Sequence, residues 1–350
     1  MLHMHDWKKE VETPVKISKR KYLNLKSNEN LISDENSIAD LAENLLTLDN
    51  FVKYPVFDVS RNALQNYLNT DNIQITSGCH DAIRLISSNL DKRKNKVLLT
   101  IPNYTAYAHY FKLHDIVTVN AERTPEHKHS LLVLMERAIK ENCNIIVLTN
   151  PDPFVGDNFA REEIILFLSE CLHNGITIIL DEVYAGFGRE SDIDLTKKFE
   201  NLLILNSFSK SFGMPGIRIG WIAGNKEIIN VLSKEFPESG ISNFSLAIMT
   251  KLLRKENLIV EFRNQVVETR NEIFANINLI EGITPYSNSV TNFVLFKVNK
   301  AITSNLWHLL EEKGVYIADL NLINHFENHY RITVCHSKKL EGLYNALRTI

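Results

Sequence analysis

The sequence predicts an α/β fold: a mostly parallel, seven-stranded sheet with helices on both faces, followed by a smaller α+β unit. Three observations carry this expectation. From about residue 70, short β-rich runs alternate with helical patterns, the order that a parallel sheet with crossover helices produces. The run Asn201-Leu202-Leu203-Ile204-Leu205 is apolar at successive positions, as a strand buried on both faces is. After residue 237 the alternation stops and a long helical stretch begins.

Taken in order, the β-rich runs are 72–76, 96–101, 116–120, 144–149, 176–180, 202–206 and 219–223. Helical patterns at 81–90, 131–141 and 161–173 separate several of them. A helical stretch then covers 241–277, a strand 292–298, a helix 304–313, a strand 330–334 and a closing helix. An early helical pattern at 37–48 packs with this second unit, which makes that unit discontinuous. The expected division is an N-terminal arm at 1–30, a large domain at 51–264 and a small domain of 31–50 and 265–350. A cleft between the two domains is the expected ligand site.

Composition narrows the function. The chain has 350 residues, 44% hydrophobic and 23% charged, with a formal net charge of −3. That balance gives no general attraction to nucleic acid or to an anionic membrane. No apolar run approaches the roughly 20 residues that span a bilayer, and the start MLHMHDWKKEVETP lacks a signal peptide's apolar stretch. The expectation is a cytoplasmic protein. Cys79, Cys143, Cys171 and Cys335 are scattered, and His3/His5 and His127/His129 alternate in polar contexts, so no metal site is expected.

The chemistry gathers at strand ends, where open α/β sheets place their ligands. Lys210 follows the run 202–206 within Ser207-Phe208-Ser209-Lys210. This also fits the S-x-x-K pattern of serine β-lactamases, but the SDN-like and KTG-like partners are missing. Asp181 ends the run 176–180; alone it could be a helix N-cap. Thr76-Ser77-Gly78-Cys79-His80-Asp81 joins a strand to a helix, whose first amides face any anion bound there. Arg218 lies between Gly216 and Gly220; alone it could be a surface ion-pair partner. One cofactor needs an aldehyde-trapping lysine, a carboxylate for a pyridinium nitrogen and a phosphate cradle together: pyridoxal 5′-phosphate.

The ordered set Tyr54-Pro55, Ser77-Gly78, Pro102-Asn103-Tyr104, Asp181-Glu182-x-Tyr184, Ser209-Lys210 and Gly216-x-Arg218-x-Gly220 resembles the fold-type I pyridoxal-phosphate-dependent aminotransferases. It is most similar to their histidinol-phosphate aminotransferase branch. Asn28-Glu29-Asn30, Thr291-Asn292-Phe293 and Tyr330-Arg331-Ile332-Thr333-Val334 extend the likeness from about residue 24 to the C-terminus. The resemblance implies amino transfer between an L-amino acid and a 2-oxo acid by a ping-pong scheme. Lys210 would bond the cofactor aldehyde and carry protons, kept reactive by partial desolvation and by Arg218. Asp181 would hold the ring nitrogen protonated, Tyr184 would serve the phenolic oxygen and Tyr104 would stack on the ring. The phosphate would sit on Gly78 and the amides of Cys79 and His80, the hydroxyls of Ser207 and Ser209, and Arg218. Tyr54 would reach the phosphate of a neighbouring subunit in a homodimer with shared active sites. Arg331 would clamp the substrate carboxylate, with Asn292 and Asn30 also at the substrate.

Two departures stand out. Relatives read N-P-N-N-P-T-G where this chain reads Asn150-Pro151-Asp152-Pro153-Phe154-Val155-Gly156. Pro153 thus occupies the place of an asparagine that serves the phenolic oxygen; either Asn150 fills that role or Tyr184 acts alone. Relatives also carry Arg where Ala318 stands and a basic residue near Cys335-His336-Ser337, so the expected substrate lacks a phosphate tail. Other readings within reach of the sequence are a decarboxylase resembling threonine-phosphate decarboxylase and a catalytically impaired homologue. A regulator built on this fold would carry a DNA-binding domain ahead of residue 28, and the two dozen or so residues there are too few.

Overall fold

The computed structural model describes residues 22–235, 240–299 and 306–348. The first 21 residues of the expected arm, His3 and His5 among them, lie outside the described residues. So do Pro237, residues 304–305 of the expected helix and the last two of the chain.

After the short β1 (Leu23–Asn24), seven strands form the large sheet: β2 (Ile73–Thr76), β3 (Lys96–Ile101), β4 (Val117–Glu122), β5 (Ile145–Thr149), β6 (Thr177–Asp181), β7 (Leu202–Ser207) and β8 (Gly220–Ala223). Their order is β2-β8-β7-β6-β5-β3-β4. All seven expected runs are strands. The pairs among β3, β4, β5, β6 and β7 are parallel, and β8 is antiparallel to both its neighbours, with Ile73 opposite Ala223 and Ser207 opposite Gly220. The reversal has a local cause: no α-helix separates β7 from β8, and a parallel return needs a crossover.

Side chains of the central strands alternate between two cores, which is how both faces come to be covered. Leu203 and Leu205 join a cluster with Ile83, Ile86 and Phe111, whereas Leu202 and Ile204 join one with Leu134, Ile164 and Leu168. The first cluster lies under the helices Gly78–Asn89 and Thr105–Leu113, the second under Leu131–Lys140 and Arg161–His173.

The expected helical stretch 241–277 is two helices, Asn243–Leu253 and Glu256–Asn278, interrupted at Lys255, whose backbone leaves the helical region. The second runs through the expected boundary at 264. Ile259 packs in the first cluster, and Phe262, Val266 and Ile273 pack in a third. That third core lies beside a four-stranded antiparallel sheet of β9 (Ile283–Pro285), β10 (Phe293–Val298), β12 (Ala318–Asp319) and β13 (His329–Thr333), in the order β12-β13-β10-β9. Between them in sequence, β11 (Val315–Tyr316) pairs in parallel with β1. This pairing lays residues 25–33 along the third core, where Leu25 and Ile32 are buried; Leu41 falls in the first cluster. Among the described residues no helix is long and apolar enough to cross a membrane.

Candidate active site

Lys210 sits on the turn that leaves β7. The turn is anchored by Phe208, which is fully buried with its ring 4.5 Å from Phe212 and 5.4 Å from Trp221. Lys210 Nζ donates to the main-chain carbonyls of Ser27 (3.0 Å) and Asn28 (2.8 Å). Burial, with the Arg331 and Arg218 charges beside it, lowers this amine to about 7. An amine in that range is in part uncharged, and so nucleophilic, at neutral pH.

Asp181 closes β6, beside β7, and is 2% exposed. Residues 182–187 form turns rather than a helix, so Asp181 caps none. Its carboxylate accepts from Tyr107 Oη at 2.9 Å and from the Val183 amide at 3.1 Å. Burial raises it to about 6, against the pull of those two donors. Tyr184, also buried, accepts at its hydroxyl from Asn28 Nδ2 at 2.9 Å, and its ring meets Phe293 edge-on at 5.5 Å.

The helix Gly78–Asn89 begins beside this group. Gly78 takes φ +80°, and a Cβ there would lie 2.8 Å from Arg218 Nη2. Gly220 allows β8 to pass so close to the helix start that a Cβ would lie 2.8 Å from the Gly78 carbonyl carbon and 3.0 Å from the Cys79 nitrogen. Arg218 itself has φ +53° and donates from Nη1 to Ser209 Oγ (3.3 Å) and the Pro215 carbonyl (3.1 Å). The Ser209 amide donates to Ser207 Oγ at 3.2 Å. Helix amides, two hydroxyls and a guanidinium thus converge, a set suited to a phosphate. His80 lies between Tyr104 Oη (3.2 Å from Nδ1) and Tyr110 Oη (2.8 Å from Nε2).

Arg331, on β13, faces the same space. Its guanidinium donates from Nη1 to the Pro153 carbonyl and lies 4.7 Å from the Phe293 ring centre and 5.7 Å from that of Phe154. Its Nε is buried without a partner. The loop bearing Pro153 is pinned from beneath. Buried Arg123 meets Asp157 at 2.8 and 2.9 Å and Asp152 at 3.0 Å, and Asp152 accepts from the Phe154 and Val155 amides.

These side chains enclose a cavity of about 450 Å³, lined by Lys210, Asp181, Tyr184, Tyr104, Cys79, His80, Ser207, Ser209, Arg218 and Arg331. Of the expected site residues, Gly78 stands at the helix start without lining the cavity, and three more are absent from its wall. Asn150 is buried behind the wall, with Oδ1 accepting from the Phe159 amide at 2.9 Å and Nδ2 unpartnered; Pro153 lines the cavity instead. Asn292 donates to the Asn28 carbonyl at 3.1 Å. Asn30 holds the Gly213 carbonyl at 3.0 Å and lines a separate, smaller cleft. Tyr54 is 88% exposed. Two contributors had no role in the sequence reading: the side chain of Asn28, present there only as part of a motif, and Tyr107, which carries no motif signal. All four cysteines are buried and unpaired. Among the described residues no His, Cys, Asp or Glu cluster could hold a metal ion.

Pyridoxal 5′-phosphate fits this donor set. An anion seat at the Gly78 helix start, a buried carboxylate and a lysine of lowered pKa surround one cavity, and the cavity has room for the cofactor and a small substrate.

Comparison with known proteins gives the same result. The family model for aminotransferase class I and II matches residues 20–347. The histidinol-phosphate aminotransferase of Thermoanaerobacter sp. (strain X514) is 27% identical over 279 residues, covering 80% of this chain and 78% of that protein. Among solved structures, the histidinol-phosphate aminotransferase from Sinorhizobium meliloti in complex with pyridoxal-5′-phosphate superposes with a TM-score of 0.83 at 20% identity, covering 94% of this chain and 90% of that one. The L-threonine-O-3-phosphate decarboxylase from Porphyromonas gingivalis shares the fold with a TM-score of 0.77 at 22% identity, covering 93% and 98%. The chain belongs to the class I and II aminotransferases, enzymes that depend on pyridoxal 5′-phosphate.

Proposed function

We propose that this enzyme moves an amino group between an unphosphorylated L-amino acid and a 2-oxo acid in a ping-pong cycle. The observation that carries the reading is the convergence of Lys210 and Arg331 on one cavity, an amine of lowered pKa beside a guanidinium with an unpartnered nitrogen. When bound, pyridoxal 5′-phosphate supplies an aldehyde carbon that takes up amino groups and a pyridinium ring that accepts the electron pair released at the substrate Cα.

The chain's own residues do the rest. The Cys79 and His80 amides, Ser207, Ser209 and Arg218 hold the cofactor phosphate. Asp181 keeps the ring nitrogen protonated, and Tyr184 donates to the phenolic oxygen. Tyr104 covers one ring face. Lys210 would take the proton from the substrate Cα and deliver it to the carbon that carried the cofactor aldehyde, and would run that transfer in reverse in the other half-reaction. Arg331 grips the substrate carboxylate through parallel N–H donors, a geometry lysine lacks.

One observation supports an unphosphorylated substrate. Ala318, where relatives carry Arg, is buried in register with Arg331, so a methyl group occupies the place of a second cation. The same reading makes the enzyme a cytoplasmic homodimer with shared active sites, Tyr54 reaching its partner's phosphate seat. The exposed apolar side chains of Leu46, Leu48, Phe51, Val52 and Val56 beside Tyr54 support it.

The deciding experiment offers a panel of L-amino acids and histidinol phosphate to the loaded enzyme with 2-oxoglutarate or pyruvate, with keto products read by mass spectrometry. Turnover of several unphosphorylated donors supports the proposal. A specificity constant for histidinol phosphate far above every other donor overturns the substrate assignment. Release of carbon dioxide without a keto product overturns transamination.

A further inference from the structure

Asn28 occupies an unusual position in this cavity. It is buried at 2% exposure, and its backbone takes φ +51°, in the left-handed region that asparagine tolerates better than most residues. Every polar atom of it is engaged. Its amide nitrogen donates to Thr333 Oγ1 at 2.9 Å, and its carbonyl accepts from Lys210 Nζ and Asn292 Nδ2. Its side-chain oxygen faces Thr333 Oγ1 at 3.2 Å, a hydroxyl that also reaches the Leu25 carbonyl at 2.7 Å, and its Nδ2 faces Tyr184 Oη at 2.9 Å. Among the described residues this is the one hydrogen bond made at Tyr184 Oη.

Nδ2 of asparagine can only donate. A phenol that accepts from it must therefore send its own proton elsewhere, and the remaining open side of Tyr184 is the cavity. We propose that Asn28 is a positioning residue for Tyr184: it fixes the tyrosine hydroxyl as an acceptor on the arm side and so turns the hydroxyl proton into the cavity. The inference rests on the reading above, in which Tyr184 donates to the cofactor's phenolic oxygen. It also accounts for a departure in the sequence. Pro153 offers no side-chain donor where relatives have asparagine, so the single donor left is held in one orientation.

Burial raises the Tyr184 hydroxyl overall, against Arg331 and the Asn28 amide, which pull it down, so it keeps its proton and can donate it. Asp181 and Asp152 also act on it and are the same in every variant below.

The test is a pH titration of the visible absorption band of the loaded protein, with cofactor affinity measured alongside. Asn28→Asp keeps the shape and suits the left-handed backbone but can only accept, so Tyr184 would donate to it instead. The band's midpoint should rise by about one unit or more, and cofactor affinity should fall several-fold. Asn28→Gly, which suits the backbone even better and deletes the amide, should move the midpoint in the same direction by less. In a Tyr184→Phe background, Asn28→Asp should move it little further. Unmoved midpoints in both single variants, with Tyr184→Phe shifted, overturn the inference alone and fit an amide turned the other way. An equal Asn28→Asp shift with and without the tyrosine assigns the effect to charge and also overturns it. An unmoved midpoint in Tyr184→Phe overturns both the inference and the underlying reading.

Discussion

Tyr107 donates its hydroxyl proton to Asp181 Oδ2 across 2.9 Å, from a helix that Tyr104 immediately precedes. One short helix therefore places the aromatic residue of the cavity wall just ahead of its first residue and, three residues on, the partner of the buried carboxylate. Tyr107 is 1% exposed, so the bond is shielded from water.

Tyr107→Phe should keep the fold and weaken the charged form of Asp181. A hydrogen bond to a charged group is worth about 1.5–3 kcal/mol, which is about one to two units on a carboxyl already raised to about 6. Cofactor uptake by the purified protein, followed against pH, should lose its acid-side affinity about one unit nearer neutrality. An acid limb that coincides with wild type would mean that Tyr107 only fills space.

Gly220→Ala places a methyl against main-chain atoms that cannot move aside: the Gly78 carbonyl carbon, the Asn206 oxygen at 2.9 Å and the Cys79 nitrogen. Overpacking of this kind costs about 1–3 kcal/mol. Tm should drop by several degrees and cofactor affinity with it, because the helix start proposed to hold the phosphate is displaced. Gly216→Ala, with nothing within 4 Å of the new carbon, should leave both unchanged. Equal melting curves for the two variants would rule the explanation out.

Stability of the cofactor-free protein should depend on pH in a defined direction. Lys210 lies at about 7 when folded, against 10.5 as its reference value. The unfolded chain binds more protons between those values, so this group's contribution to stability rises with pH across that window. Asp181 and Glu182, raised to about 6 and about 7, act the opposite way lower down: the folded state holds their protons longer, and stability falls as pH climbs toward 7. Lys210→Met should flatten the rise in Tm above pH 7 and leave the acid side as it was. Parallel Tm curves for wild type and variant above pH 7 would contradict this.

Arg331→Lys should raise KM for both the amino acid and the 2-oxo acid by about tenfold or more, since one of two charge-assisted bonds is lost. Cofactor affinity should stay nearly constant, as the proposed phosphate contacts are made by Arg218 and its neighbours and not by Arg331. If KM did not change, Arg331 would be serving only the Pro153 carbonyl and the Phe293 face.

The centre of the large sheet is readable because β5, β6 and β7 are short, largely apolar runs buried on both faces, whereas the edge strand β4, Val-Thr-Val-Asn-Ala-Glu, is mostly exposed. The reversed direction of β8 is implicit in the lack of a helical pattern between 206 and 219. Strands β11 and β12, two residues each, are too short for any periodicity. Lys210, Asp181, Tyr184 and Arg218 stand out at strand ends and turns. Asn28 and Tyr107 do not, because their roles come from partners far away in the chain, Tyr184 and Asp181. Asn150, one of two alternatives in the sequence, has only its Oδ1 engaged, by the Phe159 amide of its own loop, while its Nδ2 has no partner.

The pairing of Ile73 with Ala223 has a consequence for synthesis. β2 leaves the ribosome early but cannot join the sheet until β8, far behind it, has emerged. The anion seat needs Gly78 from one side of that late junction and Gly220 from the other. On the proposed site, a nascent chain halted just after Lys210 would already carry its reactive amine but have nowhere to hold a phosphate. Tight capture of the cofactor has to wait until the sheet has closed, and its uptake by stalled chains of increasing length would show when that happens.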